Sequence, residues 1–530
     1  MLHQFLDWLN HRTGIPSAIQ HFLNEEIPAS AGWHQVLGSV AVFGFLVQVL
    51  TGILLALNYA PTPGDAYDSL RYIVTEVTGG RLIRGLHHWG ASLMIVTVVL
   101  HMLQVFLWGA YKKPREATWI AGVVLLLLTL AFGLSGYLLP WDNRAYWGTV
   151  VTTRISALAP GAGPLVLKLL GSDGASIGVV TFARFYAAHV LILPPLAMLL
   201  IALHVYLVRR HGVAPVPADE NQPKKKFYPG QVAKDTVAIF LWFALLMGMA
   251  ILARVPLGHM ADPTDLSYVP RPEWYFLFLF QFLKFFDGPM EVLGAVVIPT
   301  LAIFALVLVP FIDRGKMTAV TKRIGALGVV VFAAFAWAGL TARAVATTPE
   351  VREMDLAMIQ PWQEISAGNL ASIGFFRQAN CASCHLISLG GVSTAGPDLM
   401  AAPSERTPEW LLNHFNSKSK LTDSQAQMLA VFVTKRSDKA VKAWATAPQT
   451  AIDGALLYLE HDCAGCHKIN GVGADEGPPL NGVSERHDRN WLEQHFANPT
   501  KYVTNSSMPG FQFNPRELKL ITDYISAIPR

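Results

Sequence analysis

The stretch Leu86–His101, LHHWGASLMIVTVVLH, decides the fold: it is apolar enough to cross a bilayer, yet it carries imidazoles near both ends. Ionisable groups inside a span cost free energy and mark function. His87 and His101 lie fourteen residues apart, close to four helical turns, so both leave about the same face, roughly 21 Å apart along the axis. One such helix can hold ligands at two depths. A second must complete the coordination, and Ala187 to His211 supplies it, with His189 and His204 fifteen apart.

The remaining composition agrees with a membrane setting. Of 530 residues, 52% are hydrophobic and only 15% charged, too little polar surface for an ordinary soluble protein of this size. A formal charge of +4 gives no reason to expect nucleic acid. No short cleavable signal precedes the first apolar run, because residues 1 to 33 read as polar and His-rich with two prolines. Seven segments are long enough to span, at about 35–59, 86–110, 117–139, 185–208, 234–253, 291–312 and 324–346. Basic residues collect after the second span (Lys112, Lys113, Arg115), the fourth (Arg209, Arg210, Lys224, Lys225, Lys226) and the sixth (Arg314, Lys316, Lys322, Arg323). By the positive-inside rule those loops and the N-terminus are cytoplasmic, and everything after Ala346 is outside.

That orientation sorts the histidines. The second and fourth spans both run inward, so His87 and His189 share the outer level and His101 and His204 the inner one. Two bis-histidine haems b, one above the other, are the expectation. Glycines agree with it, since a porphyrin edge approaches a helix closely only where no side chain intervenes. Gly38 and Gly52 in the first span, and Gly122 and Gly136 in the third, are each fourteen apart. Gly52 and Gly136 fall at the outer depth, Gly38 and Gly122 at the inner. Packing glycines are common in membrane helices, so the repeated spacing carries the inference.

The strings LIRGLHHWGAS (82–92), KKPREATWIAGVVL (112–125), SGYLLPWDNRAYWG (135–148), RFYAAHVLILP (184–194) and RPEWYFLFLFQFLKFF (271–286) resemble the cytochrome b subunit of quinol:cytochrome c reductases. Within that group they look most like cytochrome b6 with its subunit IV fused. The resemblance covers about residues 30 to 345 and implies a four-span part, 1–232, holding both haems b, followed by a three-span part, 233–346. Val36 stands where b6 has a cysteine tethering an extra haem, so no third covalent haem is expected here. The resemblance makes Pro272-Glu273-Trp274-Tyr275 the quinol-oxidation site, with Glu273 as proton acceptor and Tyr275 shaping the pocket. Arg84 and Arg184 are expected to pair with propionates of the outer haem, an anion that an arginine fork suits; interfacial snorkelling is the alternative. Arg209 and Asp235 match positions near the inner quinone site, although a basic inner loop explains Arg209 equally well.

After Ala346 the apolar character stops, and 347–360 reads as a linker to two cytochrome c domains, 361–447 and 448–530. Gly396-Pro397-Asp398-Leu399 through Trp410-Leu411-Leu412-Asn413-His414-Phe415 recurs 81 residues later as Gly477-Pro478-Pro479-Leu480 through Trp491-Leu492-Glu493-Gln494-His495-Phe496. Such self-similarity means two copies of one small unit. Each begins with C-x-x-C-H, Cys381/Cys384/His385 and Cys463/Cys466/His467, the pattern for covalent haem c with the histidine as axial ligand. A four-cysteine zinc site is the rival, but it leaves both histidines unexplained. The copies resemble small class I cytochromes c, which places Met508 as sixth ligand of the second haem. Eighteen residues separate Phe496 from Asn514, but only seven separate Phe415 from Thr422, so the first copy lacks a methionine loop. Its sixth ligand is left among Met428, Lys418, Lys420, a residue of another chain, or none.

The sequence therefore predicts an all-α protein: a seven-helix bundle followed by two small helical cytochrome c domains. It reads as a fused cytochrome b and di-haem cytochrome c subunit of a quinol:cytochrome c oxidoreductase in a bacterial inner membrane. Its expected cofactors are two haems b, two haems c and quinol/quinone. All four cysteines are committed to haem c, so a separate Rieske iron–sulfur protein is implied. The family adds a homodimeric core, small additional subunits, surrounding lipid, and a cytochrome c or terminal oxidase as acceptor. The alternatives are a non-bifurcating di-haem anchor between a dehydrogenase and the quinone pool, and a tail that merely docks an oxidase.

Overall fold

With no water in the hydrocarbon layer to satisfy backbone polar groups, an apolar segment that crosses it must close its own hydrogen bonds as a helix. The computed structural model describes all residues except Met1, 217–218, 220–221, 266–267, 316–318, 349–358, 386–395, 397–405, 436 and 505. Lys316, Pro397, Asp398, Leu399 and most of the expected linker thus lie outside the described residues. Among the described residues, seven helices have the length and apolarity to span: Trp33–Ala56, Gly80–Trp108, Glu116–Tyr137, Val179–His211, Gly230–Leu252, Gly288–Ile312 and Ile324–Thr347. They match the seven expected segments, the second and fourth beginning six residues earlier than expected. Residues 1 to 33 depart from the polar reading. They include two short helices, Leu2–Thr13 and Ile15–Leu23, that expose Phe5, Trp8, Ile15 and Ile19, the pattern of a helix lying in a membrane interface.

The chain divides into two compact units, Met1–Glu350 and Val351–Arg530. In the first unit the second span packs along the first, fifth and third, while the seventh is peripheral, with Phe332 and Phe335 each 76% exposed. Clips at two ends hold the four-span and three-span parts together. At one, Asp313 accepts from the Tyr111 hydroxyl (2.6 Å), the Lys112 ammonium (2.7 Å) and the Arg323 guanidinium (2.5 Å). Arg323 also donates to the Phe106 and Leu107 carbonyls that end the second span. At the other, the Asn143 and Ala261 amides donate to the His259 and Trp141 carbonyls, each at 3.0 Å. A two-residue antiparallel pairing of Glu26–Ile27 with Lys225–Lys226 ties the segment before the first span to the loop after the fourth.

The fourth span contains a π-helical turn, Ala188–Ile192, at the first of its two histidines. Pro194 and Pro195 follow it and carry no amide hydrogen for an α-helical bond. A π turn takes up one extra residue. Fifteen α-helical steps overshoot four turns by about 60°, whereas fourteen fall short by about 40°. The inserted residue therefore gives His189 and His204 the same relation as His87 and His101 despite the longer spacing.

In the second unit both copies have the same local build. Helices Ala367–Gln378 and Gln449–Glu460 each run into a residue of positive φ, Asn380 (53°) or Asp462 (51°). The short turns Cys381–Ser383 and Cys463–Gly465 follow. Helices Pro408–Lys418 and Arg489–Ala497, then Asp423–Lys435 and Pro515–Ser526, complete the correspondence. The copies are not separate beads: Ile373, Phe376 and Phe432 of one and Ile452, Tyr458 and Ile525 of the other belong to one continuous core. A Cβ on Gly374 would stand 2.5 Å from Ile452 Cγ2. Asn470 donates across the copies to the Gln363 and Ile365 carbonyls (2.9 and 2.8 Å), while Arg377 braces the first copy internally on those of Trp444 and Ala447 (2.9 and 3.1 Å).

Candidate functional site

The four span histidines meet in two pairs. His87 faces His189 with ring centroids 6.3 Å apart and planes crossing at 75°; His101 faces His204 at 6.4 Å and 79°. Two imidazoles on opposite sides of one metal, with metal–nitrogen bonds of about 2.0 Å, have centroids about 6.3 Å apart, so both gaps fit one iron. Each ring lies against an expected glycine. A Cβ would stand 3.5 Å from the His101 ring at Gly38, 3.3 Å from His87 at Gly52, 3.4 Å from His204 at Gly122 and 2.7 Å from His189 at Gly136.

The pairs differ in what holds them. The Thr51 hydroxyl donates to the Val47 carbonyl (2.7 Å), so at 3.0 Å it accepts from His87 Nδ1. Ser135 likewise donates to the Ala131 carbonyl (2.7 Å) and accepts from His189 Nδ1 (3.0 Å). That places the proton on Nδ1 and leaves Nε2 as the donor to a metal. In the inner pair no hydroxyl takes that place among the described residues: His101 Nδ1 is buried without a hydrogen-bond partner there, and His204 has only the Thr118 backbone beside it.

Around the Pro272–Tyr275 string, Glu273 Oε1 lies 3.8 Å from Arg144 Nη1. The Trp274 indole donates to Ser92 (3.3 Å), and the Tyr275 hydroxyl sits where a Gly133 Cβ would be only 3.0 Å away. Burial, then the Glu273 charge, pushes the Tyr275 phenol well above its usual value, so it stays neutral. The string 135–148 passes beside it. Trp141, a bulky residue at φ 53°, turns the chain. Asp142 then caps helix Asn143–Ala157 by accepting from the Ala145 amide (2.8 Å). Burial raises the Asp142 pKa against the lowering effect of that bond and of Arg144 and Arg84. Arg144 and Asp142 were not singled out from the sequence, although both stand in a string that carries the resemblance.

The two expected propionate arginines are engaged with backbone. Arg84 is buried and donates to the Val255 (2.8 Å) and Pro256 (2.9 Å) carbonyls. Arg184 is exposed and donates to Lys168 and Leu169 carbonyls. On the other side, Asp235 is buried, accepting from Gln231 (2.9 Å) and Ser39 (3.1 Å). Arg209 pairs with Glu25 at 2.9 Å. His34, stacked on Trp108 at 5.2 Å with planes 14° apart, has a buried Nε2 without a hydrogen-bond partner among the described residues. It carried no periodic signal in the sequence.

In the second unit no disulfide joins the four cysteines. Burial raises Cys381, and raises Cys463 to about 11. Among the described residues no cluster of three or more metal-ligating side chains forms. The His385 and His467 amides close onto the carbonyls of Cys381 and Cys463 (3.0 and 2.9 Å). Each ring rests on the glycine of its repeat: a Cβ at Gly396 or Gly477 would stand 2.7 or 2.5 Å away. His467 Nδ1 bonds the Pro478 carbonyl at 2.8 Å, and half-buried Met508 packs on the core. Met428 is half-buried on helix Asp423–Lys435; Lys418 and Lys420 are exposed.

Paired imidazoles inside a membrane bundle, with C-x-x-C-H turns beyond it, define a membrane cytochrome. Profiles of three families match: cytochrome b/b6/petB over residues 24–212, cytochrome b(C-terminal)/b6/petD over 260–360, and cytochrome c over 451–529. The cytochrome bc complex cytochrome b subunit of Chlorobaculum thiosulfatiphilum is 40% identical over 58% of this chain and 73% of its own length. The menaquinol:cytochrome c reductase cytochrome b subunit of Geobacillus thermodenitrificans is 38% identical over 40% of this chain and 99% of its own. A solved chain of a hyperthermophilic respiratory Complex III superposes with a TM-score of 0.58 at 29% identity, over 65% of this chain and 92% of that one. The chain belongs to the cytochrome b family of cytochrome bc complexes. It is an integral membrane protein, a component of a multi-subunit quinol oxidoreductase, and its families carry haem b and haem c.

Proposed function

We propose that this chain oxidises quinol beside Glu273 and divides the two electrons between a Rieske-type partner that feeds the tail and an inner quinone site near Asp235, with protons moved across the membrane. The observation that carries this reading is the pair of matched imidazole gaps in one bundle with the Glu273–Arg144 contact. Haem iron, two b and two c, supplies one-electron redox steps when bound.

The residues supply the rest. Glu273 is placed to take a quinol hydroxyl proton, with Arg144 favouring the carboxylate before transfer, while Tyr275 and Trp274 shape the pocket wall. His87 and His189, made stronger donors by their bonds to Thr51 and Ser135, favour the oxidised metal. Among the described residues no hydroxyl bonds His101 or His204 in this way, so an electron is favoured at the inner level. Cys381 and Cys384, and Cys463 and Cys466, provide thioethers; His385, His467 and Met508 provide axial donors. We place the N-terminus in the cytoplasm and the tail outside, in a homodimeric complex of the bacterial inner membrane that delivers electrons to a further cytochrome c or oxidase.

The test uses the purified complex. Oxidant added with quinol present, and the inner site blocked, should cause extra reduction of haem b, and a quinol analogue at the outer site should abolish it. A non-bifurcating anchor gives no extra reduction. Glu273→Gln should slow quinol:cytochrome c turnover by about 100-fold or more; turnover at the wild-type rate refutes the proton-acceptor role.

A further inference from the structure

The first tail copy keeps one half of a haem site and lacks the segment that supplies the other half in the second copy. Opposite His385 stands His414, with ring centroids 6.1 Å apart and planes crossing at 81°. The two imidazole pairs of the bundle stand at 6.3 Å and 75° and at 6.4 Å and 79°. Three gaps of nearly one width, two of them in the cytochrome b pattern, indicate one kind of occupant.

Local structure explains why His414 faces inward. It lies on helix Pro408–Lys418, which Thr407 caps by accepting from the Trp410 amide (3.3 Å). One turn before it, Trp410 stacks on its ring at 5.2 Å with planes 6° apart, and Arg406 covers the same indole at 5.0 Å. The stack fixes the imidazole plane. In the second copy, His495 occupies the matching place and lies 4.4 Å from Trp491, but it also meets Tyr502 edge-on at 6.3 Å. Tyr502 belongs to the segment that brings Met508. The first copy lacks that segment, and with it both the tyrosine and the methionine.

We propose that His414 is the sixth ligand of the haem held by Cys381, Cys384 and His385. This rests on the reading of that motif as a haem c site, and it sets aside Met428, Lys418 and Lys420. Two imidazoles favour the ferric state more than an imidazole with a thioether does. The first tail haem then has the lower potential: it gives one electron, passing from ferrous to ferric, and the His467/Met508 haem takes it, passing from ferric to ferrous. The tail becomes a one-way relay from its first copy to its second.

The test takes the complex carrying wild type, His414→Ala, His414→Met or Met428→Leu. Covalent haem is counted, the c-type α band is titrated against potential, and near-infrared magnetic circular dichroism reports the axial ligands. Two covalent haems and two c-type potentials are expected. His414→Ala should abolish the lower c-type component and reduce the bis-imidazole band to about two thirds, the haems b keeping theirs. His414→Met should move the lower component upward toward the other and strengthen the histidine–methionine band; Met428→Leu should change neither. If His414→Ala does not accumulate, His414→Met reads the same band. Unchanged bands in both His414 variants, or loss of the lower component in Met428→Leu, overturn the proposal. A single covalent haem in the wild type overturns the haem reading of Cys381–His385 as well, a different result from two haems with unchanged bands.

Discussion

A hydroxyl one bond away from a ligand can set a redox gradient. Thr51 and Ser135 accept from the outer imidazoles at 3.0 Å, while the inner pair has no such partner among the described residues. A ring that donates through Nδ1 is the more basic ligand at Nε2 and stabilises the higher oxidation state. Thr51→Val and Ser135→Ala should therefore each raise the midpoint potential of the outer haem b and narrow its gap to the inner one. Redox titration of the b-type α band reads the two components; an unmoved outer component would show that these bonds only orient the rings. Neither hydroxyl stood out in the sequence, since a serine or threonine in a span is usually bonded to its own backbone, as both of these also are.

Between elements, glycine decides how near the helices come to the rings, and charge decides how the two parts of the bundle stay joined. A Cβ at position 136 would stand 2.7 Å from His189 Cε1, closer than packed atoms allow. Gly136→Ala should cost the outer haem b and spare the inner, visible as loss of about half the b-type absorbance. At the clip, burial raises the Asp313 pKa, but bonds from Lys112 and Tyr111 and the charges of Lys112 and Arg323 more than offset this, and the net shift is downward. A carboxylate with a depressed folded pKa contributes stability above its unfolded value, and that contribution fades as pH falls through the folded one. The bundle should thus lose stability below the ordinary carboxylate range, and Asp313→Asn should flatten that dependence. Arg323→Met, which removes a buried cation bonded to Asp313, Phe106 and Leu107, should cost about 3 kcal/mol in thermal melts followed by haem b absorbance.

At the scale of the molecule, the chain consists of two compact units, and the tail is one unit made of two copies. Since Gly374 leaves room for Ile452 across the two copies, Gly374→Val should overpack that seam and destabilise the tail by about 2 kcal/mol. The c-type transition should fall in temperature while the b-type transition stays where it is. If only the first copy's haem responds, the copies fold independently despite the shared core.

Periodicity and spacing alone establish the seven spans, the four span histidines with their glycines, and the doubled C-x-x-C-H, because each is a regular pattern along one helix or one repeat. The same reading leaves the sixth position of the first tail haem open and does not show which carbonyls Arg84 and Arg184 meet. Tertiary structure decides what depends on distant segments meeting: the 6.1 Å approach of His414 to His385, the carbonyl partners of Arg84 and Arg184, and the fusion of the tail copies through one core. It also explains the fifteen-residue spacing, since a π turn at Ala188–Ile192 absorbs the extra residue. A helix face can be counted along the chain; a partner across a cleft exists only once the packing has brought it there.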